Sequence, residues 1–333
     1  MPVSVGVLGV GVMGAEHARL LAHVVAGSEV RAVFDVDRGR AATVAGAYGA
    51  QALDDPMVLV KDDAVDAVLI ASSDRTHEQF VLACLAAGKP VLCEKPLAPD
   101  VAGCMRILQA ESDIGRRLIS VGFMRRYDPG YADLKLALSD GSIGPALMLH
   151  CIHRNARSAG QPSSELISGS AVHEIDIARW LLGEELVSVT AHRPRPSERS
   201  GGAQDPMLLV FSAASGVLVD VEVFVNAEYG YDVRCELVGE HGAIALDTLP
   251  PTTRRTSGQI TRTVPADWRA RFREAYRREL QAWVDGPDAD DYGQMATAWD
   301  GYVAAGVATS SIRALETGHP QQIERREMPA LYR

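Results

Sequence analysis

The chain has 333 residues, 47% of them hydrophobic and 23% charged, which is about two domains' worth of ordinary globular composition and excludes disordered, collagen-like and coiled-coil classes. Its 43 acidic and 33 basic side chains give a formal net charge of −10, so no general basic surface is available to neutralise phosphates and no nucleic-acid partner is expected. Nowhere do about 18 apolar residues run uninterrupted and no basic segment precedes the first apolar run, so no membrane partner is expected either.

In chain order, short β-branched runs alternate with longer helical patterns through the first third. Strands are expected over 3–8, 30–34, 65–70, 91–93 and 118–121, and helices over 15–26, 39–48, 76–87 and 100–114. The strands are continuously apolar, as strands covered on both faces must be, and the alternation implies a doubly wound parallel sheet with right-handed crossovers. This α/β domain is expected to occupy 1–122. Beyond Gly122 the pattern changes to period two, clearest at Val217, Val219, Val221, Val223 and Val225 with Asp220 and Glu222 on the opposite face. Further strands are expected over 146–154, 186–192, 207–211, 232–238 and 243–246, with a hairpin turn at 239–242 and helices over 172–182, 267–285 and 293–316. Residues 123–333 therefore read as an α+β domain with a large, mainly antiparallel open sheet, its exposed loops at 193–205 and from Pro250 onward.

The five cysteines, Cys84, Cys93, Cys104, Cys151 and Cys235, form no Cys-x-x-Cys pair and lie mostly in apolar runs. That is the pattern of reduced, buried thiols, and it points to the cytoplasm.

Gly9-Val10-Gly11-Val12-Met13-Gly14 follows the first strand and opens the first helix, and the second strand ends at Asp35, 21 residues beyond Gly14. A tight turn at Gly9, close backbone approach at Gly11 and helix–strand packing at Gly14 would place a pyrophosphate at a helix N-terminus, with Val12 and Met13 in the first turn. Asp35 can accept hydrogen bonds from an adenosine ribose and would repel a 2′-phosphate, which favours NAD and disfavours NADP; Arg38 beside it could screen part of that repulsion. Ser72-Ser73 follows the third strand and Glu94-Lys95-Pro96 the fourth, beyond the carboxyl ends where open α/β sheets bind ligands; His77 lies just downstream of the first of these loops. A lysine in a loop is commonly solvated, but here the ammonium of Lys95 is placed to hold a substrate oxygen as hydride departs.

His173-Glu174-Ile175-Asp176 opens a helix with His173 and Asp176 on one face, an arrangement that suits a general base and its orienting carboxylate, or simply a helix-terminal ion pair. Of His150, Cys151 and His153, only Cys151 and His153 share a strand face, and no zinc-binding spacing accompanies them, so no metal is expected.

The glycine fingerprint, Glu94-Lys95-Pro96 and the His173 helix together resemble the glucose-fructose oxidoreductase, inositol dehydrogenase and MocA family. Within it, Gly122-Phe-Met-Arg-Arg-Tyr-Asp128, His150-Cys-Ile-His-Arg-Asn155, Val172-His-Glu-Ile-Asp176, Tyr229-Gly-Tyr-Asp232 and Thr297-Ala-Trp-Asp-Gly-Tyr302 are similar to the inositol-dehydrogenase branch along nearly the whole chain. The resemblance implies a Rossmann-type NAD domain over 1–122, a substrate-binding and oligomerisation domain over 123–333, and oxidation of a ring carbinol of a cyclitol such as myo-inositol. It implies Lys95 and His173 at the substrate with Asp176 supporting, a polyol pocket lined by Arg125, His153, Asn155 and Tyr231, and a homotetramer. Plain structural roles exist for the last four: an ion pair for Arg125, strand-end capping for His153 and Asn155, packing for Tyr231. The family usually places an aspartate four residues before the catalytic histidine, where this chain has Gly169. That departure keeps scyllo-inositol, an aminocyclitol or an aldose open as substrate, and a non-catalytic NAD sensor as a rival class.

Overall fold

The computed structural model describes residues 1–158, 160–246, 252–286 and 294–333. These divide into two compact units, one formed by Met1–Tyr127, Glu274–Ala305 and Arg326–Arg333, the other by Asp128–Arg273 and Gly306–Arg325.

The first unit is built on β1 (Val3–Leu8), α1 (Val12–His23), β2 (Ser28–Phe34), α2 (Arg38–Tyr48), β3 (Gln51–Ala52), α3 (Pro56–Lys61), β4 (Ala67–Ile70), α4 (His77–Ala86), β5 (Val91–Glu94), α5 (Val101–Ile114) and β6 (Ile119–Gly122). Its six strands run in the order β3-β2-β1-β4-β5-β6, every pair parallel. Strand order reverses beside β1, which places a ligand crevice at the carboxyl ends of β1 and β4. Every residue of β4, β5 and β6 is buried, which explains their unbroken apolar runs. The expected strands and helices of this region are present; β3 and α3 were not anticipated. The α3 segment carried a legible start, since Asp55 caps it by accepting from the Met57 N–H at 2.8 Å and Pro56 occupies its first turn.

The second unit contains α6 (Pro129–Ser139), β7 (Ala146–Arg154), α7 (Ser163–Leu166), a π-helical turn (Ile167–Ala171), α8 (Val172–Leu182), β8 (Leu186–His192), β9 (Met207–Ala213), β10 (Leu218–Phe224), β11 (Asp232–Gly239), β12 (Ala243–Leu246), and the small hairpin of β13 (Arg254–Thr256) and β14 (Gln259–Thr261). The helices α9 (Trp268–Asp285) and α10 (Ala298–Thr317) are divided between the units, α9 bending at Phe272, and β15 (Gln321–Gln322) completes the second sheet. That sheet runs β12-β11-β7-β10-β9-β8-β15. It is mixed: β7 and β10 pair in parallel and the other pairs are antiparallel.

Period-two burial is as expected, with Val219, Val221 and Val223 on the covered face and Asp220 and Glu222 on the other. α8 packs on the sheet at β7 and against α6. The loop over 193–205 is irregular, but its end is not exposed: Asp205 is fully buried and accepts from the Val225 N–H at 2.9 Å and the Asn226 amide at 2.8 Å. Of the loop expected from Pro250, Pro250 and Pro251 lie outside the described residues, and the part beyond them forms the β13–β14 hairpin. Gly293, the expected start of the last helix, also lies outside them. The five cysteines are buried and form no disulfide, and burial pushes the thiols of Cys84 and Cys104 up to about 12. Among the described residues no helix is long and apolar enough to cross a membrane.

Candidate active site

In the first unit the chain leaves β1 through Gly9 at φ +86°, a conformation that side chains disfavour. A Cβ there would also lie 2.5 Å from the Ser72 Cα. At Gly14 a Cβ would collide with the Gly9 carbonyl oxygen, so the helix can cross the strand end only with glycine at this position. Gly11 is the N-cap of α1 and supplies no side-chain acceptor, leaving the first N–H groups at Val12, Met13 and Gly14 for an anion. The glycine turn is tied to the end of β2, where the Val10 N–H donates to Asp35 Oδ2 at 2.8 Å and the Asp37 N–H to Asp35 Oδ1 at 2.9 Å. Asp35 is thereby held in place at the end of β2, where its side-chain oxygens can also accept from a ribose diol, so the residues present fit an NAD molecule.

The cation beside Asp35 is Arg40, with Nη1 3.5 Å from Oδ2, whereas Arg38 points to Asp54 at 3.2 Å and is 78% exposed. Ser72 shares a 2.7 Å hydroxyl hydrogen bond with Thr76, and the Ser73 carbonyl oxygen accepts from the Thr76 hydroxyl at 2.7 Å in the short turn before α4. His77 is buried, with Nδ1 2.7 Å from the Pro96 carbonyl oxygen and Nε2 3.2 Å from that of Ser72. It joins the loop after β4 to the loop after β5 and so supports the backbone at Pro96, on the C-terminal side of Lys95. Glu94, the last residue of β5, meets His17 Nε2 at 2.8 Å. Arg125 is buried at 1% exposure in the turn Met124–Tyr127 after β6, and the neighbouring Arg126 pairs with Asp300 at 3.1 Å.

In the second unit the structure brings three of the expected residues together. His153 leaves the covered face at the end of β7 and His173 lies in the first turn of α8, their rings stacked with centroids 6.4 Å apart and planes at 23°. Tyr231 stands edge-on to His153 at 6.2 Å and to Phe272 at 6.2 Å. Both oxygens of Glu174 lie within reach of His153 Nδ1, at 3.0 and 3.1 Å. Nδ1–H therefore donates to the carboxylate, which orients the ring. Asp176 is buried one turn beyond His173. Asn155 continues from β7, and its side-chain oxygen is buried without a protein partner, available to a ligand hydroxyl. Gly169 lies in the π turn, four residues before His173, and among the described residues nothing beyond its own turn and chain neighbours lies within 4 Å of the position its Cβ would take.

Sequence reasoning missed Glu174, Arg40 and His17. The first was visible only as a charge one position from a histidine in a helix that also carries Asp176 and Arg179; the other two depend on which strand ends and helices meet.

A glycine turn locked to an acidic strand end can receive a dinucleotide, and buried imidazoles with an oriented carboxylate can move protons, the features of a dinucleotide-dependent oxidoreductase. The chain belongs to the GFO/IDH/MocA family: residues 3–123 match its "Oxidoreductase family, NAD-binding Rossmann fold" and residues 131–245 its C-terminal domain. It is 53% identical to inositol 2-dehydrogenase 2 of Saccharopolyspora erythraea, covering 100% of this chain and 98% of that one. It is 43% identical to an inositol 2-dehydrogenase/D-chiro-inositol 3-dehydrogenase of Shouchella clausii, covering 100% and 97%. Among solved structures, it is similar to myo-inositol dehydrogenase from Lactobacillus casei in complex with NAD(H) and myo-inositol, with a TM-score of 0.94, 34% identity and full coverage of both chains.

Proposed function

We propose that the protein oxidises a secondary alcohol of a cyclitol to a ketone with NAD as acceptor, myo-inositol to its 2-keto product being the first substrate to test. The observation that carries this reading is the end-to-end likeness, at 53% identity, to an inositol 2-dehydrogenase, together with the intact Asp35 cradle. Residues 1–122 hold the nucleotide, and 123–333 hold the substrate and the contacts of a homotetramer working in the cytoplasm.

NAD supplies the hydride acceptor when bound. Gly9, Gly11, Val12, Met13 and Gly14 receive its pyrophosphate, and Asp35 receives the adenosine ribose. Hydride cannot leave a neutral carbinol without generating a protonated carbonyl, so the hydroxyl proton must be withdrawn as the C–H bond breaks. His173 takes that proton on its imidazole and passes it to solvent. The ammonium of Lys95 donates a hydrogen bond to the same oxygen and stabilises its developing negative charge. Asp176 supports His173, while His153, Asn155, Tyr231 and Arg125 bind the remaining hydroxyls.

The open space at Gly169 favours a second substrate reading, a different cyclitol epimer, an aminocyclitol or an aldose, with the same redox chemistry. Incubating the protein with NAD and, separately, myo-, scyllo- and D-chiro-inositol, an aminocyclitol and several aldoses, and following NADH absorbance, tests both. Reduction of NAD by myo-inositol supports the first reading, reduction by another member alone supports the second, and binding of NAD with no reduction at all would leave only a sensor.

A further inference from the structure

We propose that His17 and Glu94 form a buried positioning dyad for Lys95, His17 orienting the Glu94 carboxylate and the carboxylate serving as the fixed countercharge of the lysine ammonium. The inference rests on the reading of Lys95 as the group that holds the substrate oxygen.

Three observations carry it. The first is the cost of the pair. His17 is fully buried and Glu94 is 6% exposed, yet β5 and α1 are otherwise apolar where they enter the core. A leucine at position 17 would pack as well, and a buried carboxylate is expensive unless it is hydrogen-bonded and balanced by charge. The second is the geometry. His17 Nε2 lies 2.8 Å from Glu94 Oε1, whereas its Nδ1 is buried with no hydrogen-bond partner. The ring therefore donates through Nε2–H to the carboxylate. The edge-on ring of Tyr276, 5.6 Å from His17, holds the imidazole in this plane.

The third is the space kept for the carboxylate. Gly122 pairs with Glu94 across β5 and β6, and a Cβ on Gly122 would lie 3.1 Å from the Glu94 carboxyl carbon and from Oε2. Any other residue at position 122 would require the carboxylate to give by a few tenths of an ångström.

His17 from α1 and uncharged Gly122 on β6 lie against Glu94, and the charges of Lys95, next in the chain, and of His77 from α4 act on it from farther away. Burial pushes the Glu94 carboxyl up, but the His17 hydrogen bond and charge, followed by the charges of Lys95 and His77, outweigh it and hold the group below the ordinary glutamate range. With His17 below Glu94 and His77 on the Pro96 carbonyl at 2.7 Å, both residues flanking Lys95 are anchored from the interior.

The test compares His17→Leu, which removes the donor, His17→Gln, which keeps an N–H, and Glu94→Gln, which removes the charge, with Lys95→Ala as the control on the underlying reading. His17→Leu and Glu94→Gln are expected to lower kcat about 10- to 100-fold with the Kd for NAD within about twofold of wild type. They should also move the alkaline limb of kcat/KM to lower pH by about one unit, and His17→Gln should recover most of both effects. Wild-type kcat and an unmoved alkaline limb in folded Glu94→Gln would overturn the inference. So would equal losses in His17→Leu and His17→Gln accompanied only by a fall in Tm. A Lys95→Ala variant with wild-type turnover would instead overturn the reading on which the dyad rests.

Discussion

The Val10 N–H donates to Asp35 Oδ2 at 2.8 Å, so the residue proposed to select the cofactor also closes the turn proposed to receive its pyrophosphate. Asp35→Ala should weaken NAD binding by about 1.5 to 3 kcal/mol, roughly 10- to 100-fold, and narrow the preference for NAD over NADP, because the variant loses a charged acceptor and a repulsive charge together. Titration of the protein with each dinucleotide checks this.

Lys95→Ala and His173→Ala should each lower kcat by at least about 10²-fold while NAD still binds, since neither residue belongs to the glycine turn. In wild type, the oxidation rate should rise with pH as the base loses its proton. Steady-state kinetics over a pH series, with NAD binding measured separately, decide the matter.

His153 depends on Glu174, whose two oxygens lie 3.0 and 3.1 Å from Nδ1. Glu174→Gln keeps an acceptor but loses the charge, and is expected to cost about tenfold in kcat/KM with the fold retained. Glu174→Ala strands a buried imidazole and should cost about 3 kcal/mol or more in unfolding free energy. Kinetics and denaturant melts on the two variants separate orientation from stability.

Among the described residues nothing beyond its own turn and chain neighbours stands within 4 Å of a Cβ built on Gly169. Gly169→Ala should therefore raise unfolding stability by about 0.5 to 1 kcal/mol, through reduced freedom of the unfolded chain. Gly169→Asp adds a carboxylate one turn before His173 and, if the substrate is myo-inositol, should raise kcat/KM about tenfold or more. A loss of turnover with myo-inositol on introducing the aspartate would mean that the open space is itself part of substrate recognition.

Glu111 is fully buried, accepting from the N–H groups of Leu118 and Ile119 at 2.6 and 2.7 Å and from the Tyr332 hydroxyl at 2.5 Å. Burial dominates and raises its carboxyl above the ordinary glutamate range. The folded state thus holds this proton more tightly than the unfolded one. The resulting stability is fully present below the unfolded value and is lost as pH rises through the raised folded value. Glu111→Gln preserves the two backbone hydrogen bonds and can donate to the tyrosine oxygen, so its Tm should exceed that of wild type more at about pH 8 than at about pH 5. Thermal melts at the two pH values test the sign.

Local and periodic features were legible from residue order alone. The apolar runs of β1 and β4, the alternation along β10, the glycine turn and the helix opening at His173 each depend on neighbours within a few positions, and their existence and type follow from steric and hydrophobic periodicity. The parallel pairing of β7 with β10 inside a mostly antiparallel sheet has no such local signature, because strand direction depends on the path of the intervening chain.

The sequence by itself determined the fold class, the dinucleotide turn, Asp35, and the chemical types available for proton transfer, since these are set by side-chain chemistry at short spacing. Only the tertiary structure decided that Arg40 and not Arg38 faces Asp35, that Glu174 serves His153, and that His17 meets Glu94 from 77 positions away. Those pairings bring together side chains carried on different strands and helices, and their energy comes from burying polar groups against one another, which no local spacing in the chain encodes.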